Sequence, residues 1–317
     1  MDTFGHRFQL EIFGASHAPC VGVTIRGIPA SLPIAPGDFT ADLLRRKSGA
    51  PGTTPRIEED RPEIDDRRTT DGALTLTFAN RNYRNEDYRD FTDIPRPGHA
   101  DFVALARYGS LRDGWFSGRM TLPLVAAGVV AKKIIAPLSV EARLVEVGGV
   151  CVDDAQAVAQ ALEAASAEGD SLGGLIECHC DNVPLGLGEP FFDSLESLLS
   201  HAVFSIPGIR GIEFGDGFAA ARMKGSEHND PILDAAGHTA RNGAGGINGG
   251  LSNGNPVVFR VAVKPTSSIR KPQRTFDFAH GCLIDYSIPG RHDTCFALRV
   301  PPVVEAVTAC VFADLLV

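Results

Sequence analysis

The order in which strand-like and helix-like runs follow one another constrains this chain more than any other feature. "FQLEIFG", "VGVTIRGI" and "ALTLTFA" alternate apolar and polar residues and predict early strands. A helix is expected near Asp38, where "GDFTADLLRRK" puts a capping residue before apolar residues at helical spacing. Further helices are expected at 101–108, 121–135, 153–167, 193–204 and 302–316, with strands around 173–183, 218–224 and 256–263. This mixed order is not the regular βαβ alternation of a Rossmann sheet or TIM barrel. It predicts an α+β fold, read as one domain over 1–317 because no tract looks like a linker and no repeat is visible. From Ser48 to Gly72 the chain is rich in Gly, Pro, Thr and charge, and a long surface or active-site loop is expected there.

The formal net charge is −9. That argues against nucleic acid or an anionic membrane surface as partner, since both call for a basic face. No apolar run is long enough to cross a bilayer, and "MDTFGHRFQLEIF" lacks the pattern of a signal peptide, so a cytoplasmic protein is expected. Basic residues come in islands, at Arg45–Lys47, Lys132–Lys133 and Lys264–Arg274, which suits either a small anion held locally or solvated surface charge. Seven cysteines form no CxxC pair. In "ECHCD" strand alternation sends Cys178 and Cys180 to one face and His179 to the other, so no metal site is expected and buried free thiols are.

Four segments join turn residues to groups able to do chemistry. "GASHA" puts Ser16 and His17 where an apolar strand ends, and "RPGHAD" puts His99 in a Pro-Gly turn before a helix. Histidine titrates near neutrality and suits a site that needs proton donors, although a lone histidine is more often structural. "KPTSSIRKP", just after a strand, offers one cation and three hydroxyls from Lys264 to Ser268, fit for phosphate or the polar tail of a flavin, or for a plain polar turn. In "GRHDTC" extended backbone would place Arg291 and Asp293 on one side and His292 on the other, as an anion clamp with a base or as a surface salt bridge. The glycine-crowded stretch 242–256 matches no standard nucleotide loop and reads equally as a close approach to a ligand or a hairpin connection.

Taken together and in order, "RPGHAD", "EGDSLGGLIECHCDNVPLGLGEPFFDSL", "SIPGIRGIEFGDGF", "GSEHND", "GGINGGLSNGNPVVFRVAVKPTSSI" and "GRHDTCFALRVPPVVEAVTA" resemble the chorismate synthase family from about Phe4 to the last residue. The resemblance implies a β-α-β sandwich of antiparallel sheets layered with helices, and a homotetramer. It implies a 1,4-anti elimination of phosphate from 5-enolpyruvylshikimate 3-phosphate to give chorismate, with reduced FMN and no net redox change. The family's catalytic histidines fall on His17 and His99, its aspartate on Asp293, and Ser16 would orient groups beside His17. Flavin contacts carry over to Trp115, Phe116 and Ser117, to Pro207 and Gly208, to Gly249, to Lys264, Pro265, Thr266, Ser267 and Ser268, and to Arg291. Arg46 matches an arginine for the anionic substrate.

This chain departs from the family in places. Ala15 stands where an acid is usual and Ala18 where a glycine is. Trp115 replaces an arginine, Met120 a glutamate, and Gly52 lies at or near the place of a second substrate arginine. Two other readings follow from these departures: a relative that binds FMN or an anionic metabolite without turnover, and a flavin-dependent oxidoreductase using a nicotinamide cofactor such as NADP. No segment reads as a flavin reductase, so reduced FMN is expected to come from elsewhere.

Overall fold

Val21, Val23 and Ile25 are buried while Thr24 and Arg26 are not, and this period of two makes Cys20–Arg26 a strand with one face on a core. The computed structural model describes residues 2–55, 58–81, 91–290 and 292–317. Along the first part run β1 (Thr3–Phe4), β2 (Gln9–Gly14), β3 (Cys20–Arg26), α1 (Thr40–Arg46), β4 (Glu63–Arg67) and β5 (Ala73–Ala79). Then come α2 (Asp101–Tyr108), α3 (Thr121–Ile135), β6 (Ser139–Val147), β7 (Val150–Cys151), α4 (Ala155–Glu168) and β8 (Gly174–Asp181). The last part holds α5 (Leu195–Phe204), β9 (Ile209–Phe214), α6 (Gly225–His228), β10 (Ile247–Asn248), β11 (Leu251–Ser252), β12 (Val257–Val263), β13 (Gln273–Asp277), β14 (Cys282–Tyr286) and α7 (Pro301–Leu316).

Two five-stranded antiparallel sheets result, in the orders β1-β2-β3-β5-β4 and β7-β6-β8-β12-β9. Helices fill the layer between them: α3 packs on β3 and β5, and α7 on β6 and β8. Residues Pro301 to Ala313 of α7 are all buried, as expected of a helix that is apolar all round and covered on every side. Helices α3 and α7 touch at Gly128, where an added Cβ would sit 2.3 Å from the Ala306 Cβ. Glu305 anchors α7 electrostatically. It accepts hydrogen bonds from Arg45 at 2.6 and 2.7 Å, from Lys132 at 2.8 Å and from the Ala142 amide at 2.9 Å. Those donors outweigh the cost of burial and hold its carboxyl below the ordinary 4.5.

The expected β-α-β sandwich of α+β type is present, and the five helices expected after residue 100 stand within about two residues of their places. Two expectations need correction. The strand placed at 218–224 is a 3-10 turn, Gly217–Arg222, and the strand is Ile209–Phe214 instead. Alanine-rich "FAAAR" has little β preference, and Phe218 points outward. The excursion over 48–72 contains a strand, because β4 pairs with β5 and closes the first sheet's edge. The glycine-crowded stretch holds the short β10–β11 hairpin, in line with the hairpin reading of the two left open. In β8, Cys178 and Cys180 are buried, while His179 lies on the other face and bonds Glu177 at 2.9 Å.

Candidate active site

The site begins where β2 ends. Gly14 has φ +79°, and a Cβ there would lie 2.2 Å from the Cys20 carbonyl oxygen, so only glycine lets the chain turn this tightly out of the sheet. The turn carries buried Ser16 and half-buried His17 to the end of the sheet. Asn80 fixes it by donating to the carbonyls of Ala15 at 3.0 Å and Ala18 at 2.7 Å. The His17 amide donates to the Asp113 carbonyl at 3.0 Å. Gly114 presses so closely that a Cβ would fall 2.1 Å from Ser16 Oγ and 3.2 Å from the His17 ring.

His99 sits in the turn that starts α2. Its Nδ1 lies 2.6 Å from Asp101 Oδ1. A carboxylate only accepts and the Arg96 guanidinium, 2.9 Å from the same Nδ1, only donates, so one contact calls for a proton on Nδ1 and the other for a lone pair; in both cases Nε2 is left for the cavity that His99 lines. Arg96 grips the same carboxylate with Nε at 2.6 Å and a terminal nitrogen at 2.8 Å. Burial opposes ionisation of Asp101, but the bonds from Arg96 and His99 outweigh it and hold the carboxyl well below 3.8. Burial pushes the His99 imidazole below its ordinary 6.5, with Asp101 pulling the other way and Arg96 adding to the fall.

After β12 the chain delivers Lys264 to Ser268. Lys264 Nζ donates to the Gly98 carbonyl at 2.9 Å, Ser267 Oγ to the same oxygen at 2.8 Å, and Arg96 to Ser268 Oγ at 3.1 Å. The "KPTSS" and "RPGHAD" segments are thus one bonded unit. Pro207 and Gly208, just before β9, line the cavity beside them, and the Gly208 carbonyl accepts from the Lys264 amide at 2.9 Å. Burial, then the charge of Arg210, lowers the Lys264 ammonium below its ordinary 10.5.

A third group comes from α1, the start of α3 and the approach to α7. Asp60 bonds Arg46 at 2.6 Å and also binds Arg119. Burial pushes the Arg46 guanidinium down to about 10, with Asp60 countering and the charges of Arg299 and Arg119 adding to the fall. Asp293 Oδ2 accepts from Arg299 at 2.7 Å and its Oδ1 from the Thr54 amide at 2.8 Å.

All three groups line one cavity of about 710 Å³. Ser16, His17, Arg46, His99, Phe116, Ser117, Pro207, Gly208, the run Lys264 to Ser268 and Asp293 all face it. Trp115 and Gly249 are not on its lining. Trp115 donates its indole N–H to the Gly14 carbonyl at 2.7 Å, and Gly249 is the exposed tip of the β10–β11 hairpin. Arg291 lies outside the described residues. His292 and Asp293 both line the cavity, contrary to the expected alternation, because the chain around them is loop rather than strand.

Sequence reasoning passed over Arg96, Asp101, Asp60, Arg119 and Arg299. The signal for three of them was near: Arg96 and Asp101 bracket His99, and Arg299 stands six residues after Asp293. With Glu58, Asp60, Asp101, Asp113 and Asp293 beside the basic groups, the lining is charge-balanced rather than simply cationic. The departures also acquire a geometry. Ala15 is buried, and Ala18 is not at a left-handed φ, so position 18 does not require a glycine's backbone. Gly52, at φ +82°, faces away from this cavity, toward an apolar groove with Leu144, Leu162 and Leu298.

The comparisons with known proteins agree along the whole chain. A family model described as chorismate synthase matches residues 8–317. A chorismate synthase of Chitinophaga pinensis is 57% identical over 323 residues, covering 99% of this chain and 96% of that protein. Chorismate synthases of Dehalococcoides mccartyi and Korarchaeum cryptofilum are each 41% identical, with 99% of this chain and 96% of theirs covered. A solved structure titled "Crystal Structure of Chorismate Synthase" superposes with a TM-score of 0.74 at 24% identity, covering 98% of this chain and 92% of that one, and speaks for the fold alone. By its sequence over nearly its full length, this chain belongs to the chorismate synthase family.

Proposed function

We propose that the protein releases phosphate from 5-enolpyruvylshikimate 3-phosphate by 1,4-anti elimination, giving chorismate, with reduced FMN bound in the same cavity. The observation that carries the reading is convergence: His17, His99 and Asp293, far apart along the chain, share one lining. The cavity also has the donors that such ligands need. Ser16 Oγ, Thr266 Oγ1, Arg46 Nε and Arg299 Nε are buried there without a hydrogen-bond partner among the described residues. Buried polar atoms are rarely left this way unless a ligand or water completes them.

Lys264 to Ser268, Phe116 to Ser117, and Pro207 to Gly208 would hold the flavin, with apolar Phe296 beside them. When bound, reduced FMN supplies electron density that eases phosphate departure and is recovered at the end. Arg46, Arg119 and Arg299 offer the guanidinium groups that suit a phosphate and two carboxylates. His99 is neutral at rest, since burial lowers its pKa. A polyanion entering the cavity raises that pKa again, so His99 gains a proton as the substrate arrives and can donate it from Nε2. His17 serves as the second proton donor. Asp293, held at both oxygens, takes part in moving the ring proton. The C–O bond to phosphate and one C–H bond break, one C=C bond forms, and no net electrons are transferred.

We further read the protein as a cytoplasmic homotetramer. Leu185, Phe191, Phe192, Ile232 and Leu233 are strongly exposed, and such apolar surface favours association. Sedimentation should give a mass about four times that of one chain, and a monomer at micromolar concentration would contradict this. The function is tested by anaerobic phosphate release with reduced FMN. Flavin binding without release would favour a non-catalytic relative, and nicotinamide oxidation in step with product would favour an oxidoreductase.

A further inference from the structure

Trp115 is the chain's single tryptophan. Its ring is held from two sides by different kinds of contact. The indole N–H donates to the Gly14 carbonyl at 2.7 Å, at the point where β2 gives way to the Ser16–His17 turn. The Arg112 guanidinium lies over the indole at 4.6 Å and over the Tyr108 ring at 5.0 Å, so the cation is shared by two aromatic faces. Tyr108 is the last residue of α2, the helix that begins just after His99. The chain therefore runs from one histidine along α2 to Tyr108, through the stack to Trp115, and across one hydrogen bond to the turn that carries the other histidine. The His17 amide adds a parallel tie to the Asp113 carbonyl at 3.0 Å. Gly114, between these two ties, lets the backbone lie against Ser16 and the His17 ring.

We propose that Trp115 is a positioning residue for His17: its indole N–H fixes the Gly14 carbonyl, and its stack on Arg112 and Tyr108 ties the His17 turn to the helix that follows His99. It acts through His17 and not as a contact to the flavin. The inference deepens the reading above and rests on it for the kinetic part of its test.

The test compares W115F, which keeps a ring but loses the donor, with W115H, which keeps a ring N–H, in both the native and H17A backgrounds. W115F should lower kcat for phosphate release about tenfold, the worth of one hydrogen bond in such a setting. KM and the affinity for oxidised FMN, read from flavin absorbance, should stay within about twofold. W115H should recover most of the rate. In H17A protein, W115F should change the residual rate by less than about twofold, because a residue acting through His17 has nothing left to act on. Titration of the His17 ring by NMR should move in W115F by about half a pH unit. FMN affinity lowered tenfold with kcat preserved would make the indole a flavin contact and overturn the proposal. So would multiplicative losses in H17A, or an unmoved His17 titration. If the native protein releases no phosphate, the functional reading falls, and the NMR titration alone decides the positioning claim. If W115F does not fold, R112M takes its place; it loosens the stack, keeps the indole donor, and should lower kcat about threefold with FMN affinity unchanged.

Discussion

At the scale of single residues, the cavity is a set of charges that hold one another in place and leave a few donors over. His17→Ala removes a proton donor and should lower phosphate release by about 10²- to 10⁴-fold, with FMN affinity little changed. Equal rates in a single-turnover assay would remove His17 from the chemistry. Arg299→Met strips Asp293 of its cation and leaves a buried charge partly unpaired. It should raise KM at least tenfold and lower unfolding stability by about 3 kcal/mol; unchanged KM in initial-rate measurements would contradict the role given to Arg299. His99 carries a pH signature. Its folded pKa lies below the ordinary 6.5, so between the two values the unfolded chain binds more protons than the folded one. Stability should therefore fall as pH drops below 6.5, and thermal melts of His99→Asn should lose part of that slope. The same shift makes proton uptake accompany substrate binding near pH 7, visible as a buffer-dependent binding heat in calorimetry. Most of the site was legible residue by residue because turn-borne histidines, hydroxyls and basic groups announce themselves. Arg119 and Arg299 were not, because an arginine in a helical or apolar context looks like surface charge until its burial is known.

At the scale of elements, tight backbone contacts decide what each segment can present. Gly114→Ala would place a methyl group 2.1 Å from Ser16 Oγ at a left-handed φ, and should cost more of kcat than of stability. Gly128→Ala forces α3 and α7 apart at Ala306 and should cost about 1–3 kcal/mol of unfolding free energy, without a change in KM for the folded fraction. Denaturant melts showing no loss would mean that the two helices slide freely. Elements with a strong period were legible: β3 and β12 alternate, and α3 and α7 are long and apolar. The elements that sequence alone misplaced are those whose form depends on a partner. Strand β4 is highly charged and is a strand because β5 pairs with it. Strand β9 carries a glycine inside and is a strand because β12 lies beside it. The hairpin of β13 and β14 has no long alternating run to reveal it. Gly52 shows the same limit. Its alignment suggested a missing arginine in the site, yet the turn points that position at Leu162 and Leu298.

At the scale of the molecule, two sheets and a buried helical layer bring the ends of β2, β12 and α7 together, so that residues remote in sequence complete one lining. The proposed function has the unpartnered donors within it, counted among the described residues, completed by ligands. FMN that binds only the folded chain should raise the melting temperature as flavin is added. The most direct measurement is phosphate release from 5-enolpyruvylshikimate 3-phosphate under strictly anaerobic conditions with reduced FMN. The expected result is stoichiometric phosphate and chorismate with catalytic flavin and no flavin oxidised. Absence of turnover by folded, flavin-saturated protein would contradict the function assigned to the cavity.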